Sequence, residues 1–151
     1  MSKITASIDI NASPEKVRQT FLDFAKYPDW SSFITSVKPR DQHGQPINPG
    51  DVLEISLLMP GSSSATVMKP TVLENLESKF SWKGVLGFGF VFTGAHSFNF
   101  IAVEAGTKTK VVQEEHFSGF LRAPLLWALG AKTEEGFNSF NQALKVRAES
   151  L

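Results

Sequence analysis

Cysteine is absent from all 151 residues. Its absence excludes disulfides, thiolate metal ligands and a cysteine nucleophile. It suits a reducing compartment such as the cytoplasm. A surplus of either charge is also missing, because 15 Lys and Arg balance 15 Asp and Glu. No basic excess is available to neutralise phosphates, which argues against a nucleic-acid partner. No polybasic segment suits an anionic membrane either. The opening residues, Met1 to Thr5, lack the apolar region of a signal peptide. One stretch free of Asp, Glu, Lys and Arg, Gly84 to Val103, is long enough to weigh as a membrane span. It holds Gly84, Gly87, Gly89 and Gly94 and alternates in its second half, so it reads as a loop followed by a strand. Aromatic rings with a polar handle are scarce, with one Tyr against thirteen Phe. Phe supplies apolar area alone, which suits a large core or the wall of a greasy cavity. The length suits one domain over residues 1–151.

Periodicity predicts an α+β chain. Lys3–Ile10 alternates as a half-buried strand. Ser13-Pro14-Glu15 reads as a helix start: Ser13 as N-cap, Pro14 at the first position, Glu15 complementing the dipole. Val17, Phe21 and Phe24 carry that helix to about Ala25. Tyr27-Pro28-Asp29-Trp30 breaks it, and a short second helix or turn leads into a strand over Phe33–Lys38. Asp41–Asp51 is a loop. Asp51–Leu58 alternates again, Pro60 to Ser64 turns, and Ala65–Leu76 is a strand interrupted at Pro70. Lys79–Lys83, Thr93–Val103 and Thr107–Phe117 are further strands, the last two joined by a turn at Glu104–Thr107. From about Ala123, Leu126, Leu129, Thr133, Phe137, Phe140 and Leu144 recur at helical steps. A helix of about 25 residues would be roughly 38 Å long. Gly130 and Gly136 weaken it and allow a bend. No βαβ unit is present, so the sheet is expected to be an antiparallel meander of about seven strands.

Four segments in this order carry a resemblance: Ile8 to Val17, Tyr27-Pro28-Asp29-Trp30, Phe80-Ser81-Trp82-Lys83-Gly84, and Phe117-Ser118-Gly119 followed by Phe137 to Lys145. Together they resemble the START-like, or SRPBCC, superfamily in its polyketide cyclase/dehydrase-like branch, over essentially the whole chain. The resemblance implies the helix-grip fold: a curved antiparallel sheet gripping the C-terminal helix, with two short helices after the first strand. It also implies an internal pocket for an apolar small molecule. Members of the superfamily include lipid carriers, hormone receptors, cyclases, ring-hydroxylase subunits and chaperone activators, and a fold does not choose among them.

Alternation places Leu53, Ile55, Leu57, Phe80, Trp82, His96, Phe98, Phe100, Val111, Gln113, Glu115 and Phe117 on the inner side. Ser97, Asn99, Lys108, Lys110, Glu114 and His116 fall outside. A single bulge would exchange the sets. The inner polar groups His96, Gln113 and Glu115 are the candidates to orient a ligand. Phe80, Trp82, Phe98, Phe117, Phe137, Phe140 and Leu144 are the candidate walls. Burial should raise the Glu115 pKa unless a charged His96 offsets it. Such a pair can also be read as general acid and base, or as two groups that merely satisfy each other or a water. His43, His96 and His116 do not converge on this reading, so neither a metal nor another cofactor is expected. Ser62, Ser63 and Ser64 lack a nucleophile's setting. Gly84–Gly94 is a strand connection or an apolar lip carrying Val85, Leu86, Phe88, Phe90 and Phe92. Phe120–Leu129 is helix core, or else a gate or homodimer surface containing Trp127. Trp30 and Phe33 are expected in the core. The functional expectation is a binder of a hydrophobic, lipid- or polyketide-like molecule. A cyclase/dehydrase using Glu115 and His96, or a chaperone-activator-like module, are the alternatives.

Overall fold

The computed structural model describes residues 3–40, 46–86 and 92–151, with the side chains of Leu86 and Phe92 excepted. Strand β1 (Lys3–Ile10) leads into helix α1 (Pro14–Leu22). Ser13 caps α1 by accepting from the Lys16 amide at 3.3 Å, and Pro14 sits in its first turn. The helix ends before Ala25 because the chain tightens into a single 3₁₀ turn, Phe24–Lys26. Tyr27-Pro28-Asp29-Trp30 then forms the short helix α2 rather than only a break before one. The buried Tyr27 hydroxyl donates to the Phe21 carbonyl at 2.6 Å and ties this corner to α1.

The remaining elements are β2 (Ile34–Pro39), β3 (Leu53–Leu57), β4 (Thr66–Met68), β5 (Thr71–Leu76), β6 (Lys79–Leu86), β7 (Phe92–Val103), β8 (Lys108–Ser118) and α3 (Arg122–Ser150). The strands make two antiparallel sheets, ordered β1-β8-β7-β6-β5 and β2-β3-β4. The expected single strand over Ala65–Leu76 is therefore two strands, one in each sheet. Pro70 has no N–H to give to a ladder, so pairing cannot run through it. The sheets meet there: the Leu53 amide donates to the Pro70 carbonyl, the Val72 amide to Asp51, and Val52 bridges Thr71.

The β7–β8 register runs without a shift and sets His96 opposite Glu115 and Phe98 opposite Gln113. Helix α3 has 29 residues, about 44 Å at 1.5 Å per residue. It continues through both Gly130 and Gly136 as one helix. Gly136 serves close approach: a Cβ there would overlap the Phe33 ring.

The gap between the main sheet and α3 divides into two halves. One half is solid. Phe21 from α1 lies with its ring centroid 4.5 Å from Phe98, 5.3 Å from Phe80, 5.5 Å from Phe100 and 6.2 Å from Phe140. Leu144 and Ala148 are buried beside them on the last turns of α3. The other half, under the first turns of α3, is hollow.

Candidate functional site

The hollow has a volume of about 660 Å³. Its roof is the face of α3 carrying Leu125, Leu126, Leu129, Gly130 and Thr133. Its floor and sides come from β3, β4, β6, β7 and β8, with Met59, Met68 and Phe33 closing the flank. A cavity of this size, mostly apolar with few polar groups, matches the usual form of a small-molecule site. At its inner boundary stand His96 and Glu115.

The polar groups there form a chain. His96 Nε2 lies 2.9 Å from Gln113 Oε1. Gln113 Nε2 donates to the Phe137 carbonyl at 3.0 Å and to Asn141 Oδ1 at 2.6 Å. The Phe137 carbonyl only accepts, so the amide nitrogen of Gln113 must face it, and Oε1 must face His96. His96 Nε2 therefore carries the proton and donates it. That leaves Nδ1 with a lone pair, aimed at Glu115 Oε1 at 3.7 Å, beyond hydrogen-bond length. Burial pulls the His96 pKa down to about 4, and the Gln113 bond opposes only part of that. Burial alone pushes Glu115 up to about 7. The imidazole is thus neutral at pH 7, and the carboxyl stands near its midpoint. One group that binds or releases a proton near neutrality faces one fixed lone pair.

Gly94 makes room for this arrangement. It sits at the point of β7 where an added Cβ would overlap the Glu115 carboxylate. In the sequence Gly94 is simply the glycine where the glycine-rich stretch meets the strand Thr93–Val103, with nothing to mark it as space for Glu115. Asn141 was also missed, although it is buried at the end of the polar chain. An Asn on the buried stripe between Phe137 and Leu144 was the available signal.

Of the candidate site residues, Trp82, His96, Glu115, Phe117 and Phe137 line the cavity. Phe80, Phe98, Phe140 and Leu144 stand in the solid half, fully buried and away from the cavity wall. The physical reason is the Phe21 ring, which fills the space a ligand would need to reach them. Gln113 is also fully buried and does not line the cavity, but it bonds to His96 and to the Phe137 carbonyl, two residues that do. Phe33 is buried and at the same time walls the cavity, while Trp30 packs on Tyr27 and Phe140 away from it. The apolar run at the start of α3 is divided. Leu125 and Leu126 face inward, but Phe120 and Trp127 are 65% and 91% exposed, so the run is not simply core. Phe88, Phe90 and the side chains of Leu86 and Phe92, expected as an apolar lip, lie outside the described residues, as does His43. His116 is on the outer face beside Glu114. Among the described residues no group of three or more His, Asp or Glu is placed to hold a metal ion. No helix among them is long and apolar enough to cross a membrane.

Comparison with known proteins agrees with this architecture. A family model described as polyketide cyclase / dehydrase and lipid transport matches residues 1–149. No curated protein matches the sequence significantly. Among solved structures, a Thermus thermophilus protein aligns at 14% identity, covering 98% of this chain and 97% of its own, with a TM-score of 0.73. The Zhui aromatase/cyclase from Streptomyces sp. R1128 aligns at 13% identity, 97% and 93% coverage and a TM-score of 0.75. A START superfamily protein from Mycobacterium smegmatis aligns at 19% identity, 98% and 97% coverage and a TM-score of 0.70. At these identities the structural likenesses establish the helix-grip fold alone.

Proposed function

Because the chain belongs to the polyketide cyclase / dehydrase and lipid transport family, we propose that it binds one hydrophobic small molecule, lipid- or polyketide-like, between sheet and helix. The observation that carries this reading is the cavity of about 660 Å³, apolar along its walls, with a carboxyl at its inner end. Each Å² of apolar ligand surface withdrawn from water contributes roughly 25 cal/mol. Trp82, Phe117 and Phe137 supply ring surface for that burial, and Glu115 with His96 fixes orientation by a hydrogen bond to a ligand oxygen. The reading places the protein in the cytoplasm, where a chain without cysteine gives up no stabilising disulfide. Native mass spectrometry of the protein purified from its own host tests it. A retained apolar molecule at one per chain is the expected result. A spectrum of bare protein, with no binding on addition of apolar ligands, would refute it.

A second reading is supported by one observation, the buried Glu115 carboxyl 3.7 Å from His96 Nδ1 at the cavity wall, where burial raises its pKa. A carboxylate there can take a proton from an enolisable ligand and return it as the acid, which is the chemistry of cyclisation and dehydration. On this reading Glu115→Gln and His96→Ala each abolish turnover of a polyketide-like substrate while leaving its binding largely intact. Normal turnover in both variants would remove the proton-transfer role and leave the binding role standing.

A further inference from the structure

The cavity has a second charged group, at the opposite kind of position from Glu115. Lys69 lines the cavity and is exposed to solvent, which puts this residue at the rim. Among the described residues, the other ionisable groups along the wall are His96 and Glu115 at the inner end. Lys69 takes part in none of the ion pairs among the described residues, which join other lysines and histidines to their own carboxylates. Nor does it neutralise Glu115. That carboxyl is raised by burial, with no lysine among the causes. The backbone at Lys69 is fixed as well. The following Pro70 restricts it to extended conformations, and the Pro70 carbonyl is held by the Leu53 amide at 2.9 Å. The side chain therefore starts from a defined point on the rim.

We propose that the ligand is an anionic amphiphile: its apolar body fills the cavity, and a compact anionic head, carboxylate or phosphate, meets the Lys69 ammonium at the rim. This rests on the cavity being a ligand site, as proposed above. A neutral hydrophobe would leave that cation without a function in recognition. An anion placed at the inner end instead would face Glu115, which loses its proton near neutrality, so the rim is the end where a negative head is favoured. The body-in, head-out orientation follows from the same asymmetry.

The test uses the full chain and a neutral fluorescent probe, N-phenyl-1-naphthylamine, displaced at one fixed pH by dodecan-1-ol, dodecanoate and dodecyl phosphate below their micellar concentrations. The three share one tail and differ in the head. Wild type should bind at least one of the anions about fivefold more tightly than the alcohol, as expected for a solvent-accessible ion pair. Lys69→Met keeps the apolar stem and should erase that preference, while Lys69→Arg should retain it. A preference confined to dodecanoate or to dodecyl phosphate supports the proposal and names the head group. If Lys69→Met keeps the wild-type preference, or wild type shows none while the tail still displaces the probe, the proposal is overturned. The Lys69 stem then only covers apolar wall, and the hydrophobic site survives. If neither probe nor amphiphile binds saturably, the site and its head-group specificity fail together.

Discussion

Replacing Phe21 with alanine should remove roughly 3–5 kcal/mol of unfolding free energy, the usual range for deleting a buried aromatic ring. The ring is fully buried and meets Phe80, Phe98, Phe100 and Phe140 at once, so no single neighbour can collapse into its place. It is also the wedge that makes one half of the sheet–helix gap solid. Total stabilities of domains lie at about 5–15 kcal/mol, so the variant should fold but denature at a much lower urea concentration. A conservative Phe21→Leu change should cost less. The cavity lies in the other half, so an apolar ligand should still raise the variant's denaturation midpoint. A loss below about 1 kcal/mol would mean the aromatic cluster is not packed as described.

Glu115→Gln should change how stability depends on pH. The Glu115 pKa is about 7 in the folded protein against 4.5 for the free side chain. A carboxyl with a raised pKa contributes stability that is fully present below the unfolded value and is lost as pH rises through the folded one. The loss spans about pH 4.5 to 7 and reaches the order of 3 kcal/mol. His96 acts in the opposite direction. Its pKa falls to about 4 from 6.5, so the folded state loses stability as pH drops across that window. In wild type the two slopes oppose each other, and urea midpoints should vary little from pH 4.5 to 7. Removing the carboxylate leaves the histidine slope alone. The Gln variant should therefore grow more stable from pH 4 to 6.5 and exceed wild type at pH 8 by up to about 3 kcal/mol. Denaturation curves at a series of pH values read this directly. Parallel pH profiles for the two proteins would show that Glu115 is not desolvated.

Much of this architecture was legible in the chain, and particular residues show why. The alternation in Lys3–Ile10 and in Thr93–Val103 survives because one face of each strand packs inward, which pins the register. The Ser13-Pro14-Glu15 start was readable because capping is local chemistry. The split at Pro70 was visible only as an interruption. Which sheet each half joins depends on Asp51, Leu53 and Lys83, far away in sequence. At the site, His96 and Glu115 were brought together by counting residues along an unshifted ladder. The division between filled and hollow halves was not readable. Phe80 and Trp82 are both inward-facing aromatics on β6, and only the position of Phe21 decides that the first is core and the second is wall. Gly94 and Gly136 posed the same problem. A glycine that makes room for Glu115 or for the Phe33 ring is identical in sequence to one that loosens a strand or bends a helix.

The hollow itself is tested most directly at Gly130, which lines the cavity roof and has nothing within 4 Å of a Cβ built there. Titrating wild type and Gly130→Phe with N-phenyl-1-naphthylamine should give one saturable site in wild type and none in the variant. The variant should remain as stable as wild type or slightly more so, since glycine disfavours a helix interior by about 1 kcal/mol. Absence of saturable binding to wild type, or equal binding by both proteins, would contradict the account.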